Sequence, residues 1–444
     1  MFRTGLAGWL ALVLSGLMAG GASAQSLTYQ PLGTIPVPPS TVAGPTLTLK
    51  QAFEAAWARQ PEARSLASRR EAAMARRQVA DSRTVEPIAI ELSGQSRRLA
   101  GLPGSREIVL GLAIPLWLPG ERARSGALAD AELQATSSVT LAARWRTAAV
   151  LRSHFWLWYR AQMEHALAAE RLGNARQLAT DVAIRVKAGL LARADQHQAD
   201  GAVASAQAAQ AEAFSALAGA AAQLWAAIGG SPSPTLIDVR ADGRADLEFK
   251  ASSEPMPEPT AVVAPIDSGH PSVRELVDRV DFARRGFELA RVQTRGNPHL
   301  TVAASREHGL AGESSQQSLI VGIRVPLGSD SRVRARLAGA QAELIELEEL
   351  LSLERTRLAH EVQSVRVRVE SAATQLESAQ RRARLAQETR GFFEKSFRLG
   401  ETDLPTRLRV ELEATDAQRQ AARAQIEQAA AISALRQALG LLPE

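Results

Sequence analysis

Histidine is the first residue type to weigh for chemistry, and its spacing argues against a metal site. His154, His165, His197, His270, His299, His308 and His360 show no metal-chelating spacing such as His-x-x-x-His, so they read as solvated or packed side chains. Cysteine is absent, which excludes disulfides, thiolate metal sites and a cysteine nucleophile. No activated nucleophile or phosphate-cradling glycine loop appears. We therefore read no enzyme, no cofactor and no metal ligands. Trp145, Phe155, Trp156, Trp158 and Tyr159 read as packing around a belt midway along a helix. What remains is charge and glycine at two turns: Gly189, and Gly400 within Arg398-Leu399-Gly400-Glu401-Thr402-Asp403-Leu404-Pro405. Gly400 suits a left-handed helix cap and Pro405 the first turn of a returning helix.

The elements that position these turns are long helices. Ser329 to Arg398 contains no proline, and Leu337, Leu344, Leu351, Leu358, Val365, Ala372 and Ala379 recur at every seventh position. That is a coiled-coil seam, and one narrow apolar edge needs partner helices. A helix returns from Pro405 to about Leu439. Earlier, Glu121 to about Lys187 forms a second long helix, which Gly189 breaks before an Ala-rich helix runs to Gly229.

The 444-residue chain has only 4% aromatic residues and a net charge of +5, with its arginines spread among acids along the helices. A nucleic-acid surface would be denser and clustered. Met1 to Ala24 reads as a secretory signal, with Arg3, an apolar run and Ala22-Ser23-Ala24. Residues 25–45 read as an irregular tail. Order begins at Thr48, which has capping-box spacing to Gln51, and Gln60-Pro61 interrupts the first helix.

Period two replaces period 3.6 after Pro87. Ile88, Ile90 and Leu92 alternate with Ala89, Glu91 and Ser93, and Ile108 to Leu116 alternate likewise, giving strands over 86–95 and 106–117. Two more follow at 298–306 and 317–327. Strands of this length suit an outer membrane, or else a hairpin half-buried in a soluble domain. Arg324 between apolar neighbours points to a wet side, and parity places Glu91 with it while Ile90 and Ile323 face the other way.

The second half echoes the first. An offset of 211 carries Pro87 to Pro298, Gly111 to Gly322, Pro115 to Pro326, Gly189 to Gly400 and Gly229 to Gly440, and His270-Pro271 mirrors Gln60-Pro61 at 210. Repeat 1 spans 46–230, a proline-rich linker 231–266, and repeat 2 spans 267–444. Each repeat is helix, two strands, long helix, turn, helix. Four strands cannot close a barrel, and open edges are not tolerated in lipid, so membrane strands of this kind require a ring of identical chains.

With these features the chain resembles the TolC-like outer-membrane factor family over nearly all of its mature length. The resemblance rests on Leu47-Thr48-Leu49, Ala52 and Ala56 with Gln60-Pro61, on Ile114-Pro115-Leu116 and Val325-Pro326-Leu327 before each long helix, and on the turns at Gly189 and Gly400. It implies a mostly α fold with a membrane β-barrel portion: a homotrimer sharing a twelve-stranded barrel in outer-membrane lipid and a helical tunnel in the periplasm. It also implies a periplasmic adaptor protein and an inner-membrane pump as partners. Leu116 to Arg122 and Arg398 to Leu404 resemble the branch serving heavy-metal-cation pumps; drug efflux and type I secretion channels share the scaffold.

In such channels the second turn carries acids that narrow the tunnel. The matching positions here are Thr406 and Arg409, a departure that puts a cation-selective ring in doubt, whereas Asp195 does match the acidic position of the first turn. Glu401 and Asp403 either substitute for the missing acids or are helix-start acids set against the dipole. Two other classes remain open: a pore-less periplasmic coiled-coil scaffold, and a secreted helical binding protein, which leaves the strands unexplained.

Overall fold

The computed structural model describes residues 48–96, 106–229, 254–258, 269–308, 314–328 and 330–444. The expected signal segment and tail, and most of the linker, lie outside the described residues. Eleven elements follow in order among those described: α1 (Leu49–Arg59), α2 (Pro61–Asp81), β1 (Ala89–Ser96), β2 (Arg106–Pro115), α3 (Glu121–Lys187), α4 (Arg193–Ile228), α5 (Pro271–Val292), β3 (His299–His308), β4 (Gln316–Arg324), α6 (Asp330–Leu399) and α7 (Leu404–Ala438).

Local chemistry explains most boundaries. The Thr48 hydroxyl accepts from the Gln51 amide at 3.2 Å while the Gln51 side chain accepts from the Thr48 amide at 3.1 Å, which satisfies two of the donors a helix start leaves open. Pro61 and Pro271 sit at the first position of α2 and α5, where no amide is needed. β4 stops at Arg324, ahead of Pro326, which has no N–H to give a ladder.

The long helices form two hairpins, α3 with α4 and α6 with α7, flanked by α2 and α5. At 67 and 70 residues, α3 and α6 each extend for about 100 Å. The heptad positions of α6 face its neighbours: Leu358 and Ala372 are buried and the other five half-buried. The largest core cluster joins Leu49 and Phe53 of α1 to Leu151, Phe155, Trp156 and Trp158 of α3, with Leu224 of α4 and Ile426 of α7. The expected aromatic belt is therefore packing, each buried large side chain contributing about 1.5–3 kcal/mol.

The strands form one antiparallel sheet in the order β1-β2-β3-β4. Its central pairing, β2 with β3, joins the repeats directly, through registers such as Leu112 opposite Val302 and Gly111 opposite Ala303.

Candidate functional site

The sheet has two chemically different faces, and its register decides which residues share each. Ile90, Leu112, Val302 and Val321 form one cross-strand row, and Leu92, Leu110, Ala304 and Leu319 the next. This apolar face is open: Leu92 is 72% exposed and Leu319 73%. The opposite face holds mostly small and polar groups, with Val109 and Ile320 among them. Its row Glu91, Gly111, Ala303, Ile320 and its pair His299, Arg324 place both expected wet-side residues together.

On that face Ala303 is only 4% exposed, although no helix packs against the sheet. Burial concentrates on this face, at Gly111, Ala113, Ala303 and Ser305, so we take it as the concave side of the sheet. A Cβ added at Gly111 would stand 2.8 Å from the Ala303 Cβ, so a side chain there would crowd the facing strand. The Ser305 and Ser318 hydroxyls also meet there, at 2.7 Å. A soluble hairpin hides its apolar face; this one displays it. Trp117, just past β2, is half-buried and donates its indole N–H to the Ser82 carbonyl at 3.1 Å.

At the far end of the hairpins both turns are built alike. The Leu190 amide reaches the Arg185 carbonyl at 2.9 Å and the Gly189 amide that of Val186 at 3.0 Å; Glu401 to Ser396 and Gly400 to Phe397 repeat the pattern at 3.0 and 3.1 Å. Gly189 and Gly400 have φ of 75° and 82°, the left-handed region. Arg185 of the first hairpin donates to the Phe397 carbonyl at 2.9 Å and the Arg398 carbonyl at 3.3 Å, and its guanidinium lies 4.8 Å from the Phe397 ring centre. It thereby caps the last turn of α6 with a cation from another hairpin. Val182, Ala199, Phe397 and Leu404 close a small core beside it.

The expected tip residues take varied places. The Asp195 carboxylate accepts from the Ala192 amide at 3.0 Å, as a helix-start acid. Glu401, Asp403 and Arg409 are exposed, and Thr406 is half-buried. Arg407, not singled out from sequence, is buried and pairs with Glu411 at 2.7 Å, which Arg390 also meets at 2.9 Å. These groups, with Arg171 and Asp181, line a cavity of about 250 Å³ between the hairpins. One signal for Arg185 was present in the sequence: the repeat offset puts Ser396 at its counterpart, so one turn carries a cation the other lacks.

Two buried polar nodes hold the repeats in register. Glu254, 3% exposed, receives Arg152 through two bonds of 2.6 and 3.0 Å, receives the Ser433 hydroxyl, and lies 3.4 Å from Arg436. Arg152 also donates to the Gln437 side chain at 2.5 Å and the Leu441 carbonyl at 3.0 Å. Glu121, at the start of α3, accepts from the Leu118 amide at 3.0 Å, the Asn297 amide group at 2.5 Å and that of Gln293 at 2.8 Å, tying the β2–α3 junction to the α5–β3 junction.

His270 caps α5, with Nδ1 3.0 Å from the Ser272 hydroxyl, and its ring meets Trp145 edge-on at 5.0 Å. Burial pushes it down to about 4, against a smaller opposing pull from Glu354. Glu354 itself is lowered, chiefly by its hydrogen bonds from Arg357. Burial also lowers His165. Among the described residues no group of three metal-ligating side chains converges.

No protein-family model matches the sequence, and no curated protein matches it. Solved structures do. The outer membrane protein VceC from Vibrio cholerae superposes with a TM-score of 0.69 at 16% identity, over 89% of this chain and 97% of that one. CusC, described in terms of folding and transmembrane channel formation, gives 0.70 at 17%, over 88% and 92%. The open-state outer membrane channel MtrE of Neisseria gonorrhoeae gives 0.68 at 17%, over 88% and 89%. The chain therefore has the mostly helical, small-sheet fold of the TolC-like outer-membrane channels.

Proposed function

We propose that this chain is the outer-membrane duct of a tripartite efflux system, a passive exit for substrates that an inner-membrane pump and a periplasmic adaptor deliver. The observation that carries it is the two-faced sheet. Its apolar face is open, its concave face is lined mostly by small and polar groups, and its edges β1 and β4 have no partner among the described residues. Three copies would pair edge to edge into a twelve-stranded barrel and remove every edge. The shared fold supports the same reading.

Heavy-metal cations are the substrate we favour, on the resemblance of Leu116–Arg122 and Arg398–Leu404 to the branch serving such pumps. A duct passes its cargo, so this asks for no ligand cluster. We place the constriction at the level of Asp195, Glu401, Asp403, Thr406 and Arg409.

The test is expression in a Gram-negative host, followed by membrane fractionation and cysteine labelling with a membrane-impermeant thiol reagent. The chain should enter the outer membrane as a detergent-stable trimer. Position 324, with Glu91 on the concave face, should label, and position 323, on the apolar face with Ile90, should not. Recovery as a soluble monomer would defeat the proposal, and the reverse labelling would turn the sheet inside out.

A further inference from the structure

At the end of the sheet away from the helices, the two faces carry opposite charge. The register continues the apolar face through Ile108 opposite Arg306 to Arg106 opposite His308, while Glu107 and Glu307 pair on the concave face. Arg106, Arg306 and His308 are all exposed, and none has an acidic partner among the described residues. Paired strand residues stand about 5 Å apart and same-face neighbours about 7 Å apart along a strand, so these three donors fit within reach of one or two phosphates.

We propose that this basic corner binds the phosphate groups of the anionic glycolipid in the outer leaflet, a site that rests on the outer-membrane reading above. Every strand meets the helical body at its other end, where the same face finishes on Ile114, Leu300 and Ile323. With the helices in the periplasm, the basic end lies at the outer surface, directly beyond the apolar rows that contact acyl chains. Ordinary solvation would scatter cations over both faces. At this end of the sheet, unlike the other where Arg324 stands on the concave face, acids occupy the concave side and arginines the apolar side, and guanidinium matches phosphate with paired, charge-assisted hydrogen bonds.

The test is native mass spectrometry of the full mature chain released from phosphatidylcholine nanodiscs doped with a diphosphorylated lipid A-type glycolipid. Arms carry the same glycolipid stripped of phosphate, or inorganic phosphate as competitor. Arg106→Gln with Arg306→Gln should reduce bound glycolipid about tenfold while the trimer persists. Glu107→Gln with Glu307→Gln, on the concave face, should leave it unchanged. Equal retention by the arginine variant, equal binding of the dephosphorylated lipid, or displacement by inorganic phosphate at the glycolipid's own concentration would overturn the site. Failure of the wild-type chain to insert at all would count against the membrane reading and remove the site with it.

Discussion

His270 shows how one buried side chain imposes a pH dependence on the fold. Its folded value, about 4, lies below the ordinary histidine value of 6.5, so the unfolded chain binds the extra proton first. Stability from this group is complete above pH 6.5 and declines as pH falls toward about 4. The repeat supplies a substitute, because Gln60 occupies the equivalent position before Pro61. His270→Gln should therefore flatten the loss of the thermal midpoint between pH 6.5 and 5, a window above the ordinary carboxylate range. Identical slopes in the two proteins would assign the dependence to other groups.

At the scale of the element, glycine lets the hairpin turns take a backbone that would strain any other residue. A Cβ at Gly189 or Gly400 meets nothing within 4 Å, so only the left-handed φ opposes substitution, at about 1–3 kcal/mol. Gly400→Val should distort the turn that an adaptor would grasp, leaving barrel and trimer intact while efflux is lost; Gly400→Asn, which tolerates that conformation, should retain activity. Loss of trimers in the valine variant would instead assign the turn to assembly. The approach to this turn is unusually open: Leu385, Phe392 and Leu399, seven residues apart on α6, are 59, 68 and 76% exposed. A seam left bare in one chain asks for another helix, in agreement with a ring of copies.

Across the whole molecule, the two repeats are joined by the sheet, by Glu121 and by the Glu254 node. Glu254 comes from the linker between repeats, yet it meets Arg152 of the first half and Ser433 and Arg436 of the second. Removing its carboxylate would leave Arg152 buried without its acidic partner and Arg436 with Glu444 alone, at 2.9 Å. Glu254→Ala should lower stability by about 3–5 kcal/mol, read from the thermal unfolding midpoint, and Glu254→Gln should lower it less because hydrogen bonds remain. An alanine variant within about 1 kcal/mol of wild type would show that the linker merely rests on the surface.

Much of this architecture was legible in the residues because it is periodic. Seven-residue spacing marked the α6 seam, two-residue alternation marked strands and put Glu91 and Arg324 on one face, and the recurrence of glycine and proline at 211 revealed the repeat. Each of these signals arises between residues only a few positions apart, where helix and strand geometry alone decides what faces what. The tertiary structure decided what no period encodes: Arg185 capping α6 from the other hairpin, Arg152 finding Glu254 102 residues away and Gln437 285 away, and Asp195 closing its own helix start. Such contacts join surfaces whose facing depends on how two long hairpins lie together, and that is settled by packing along their full length.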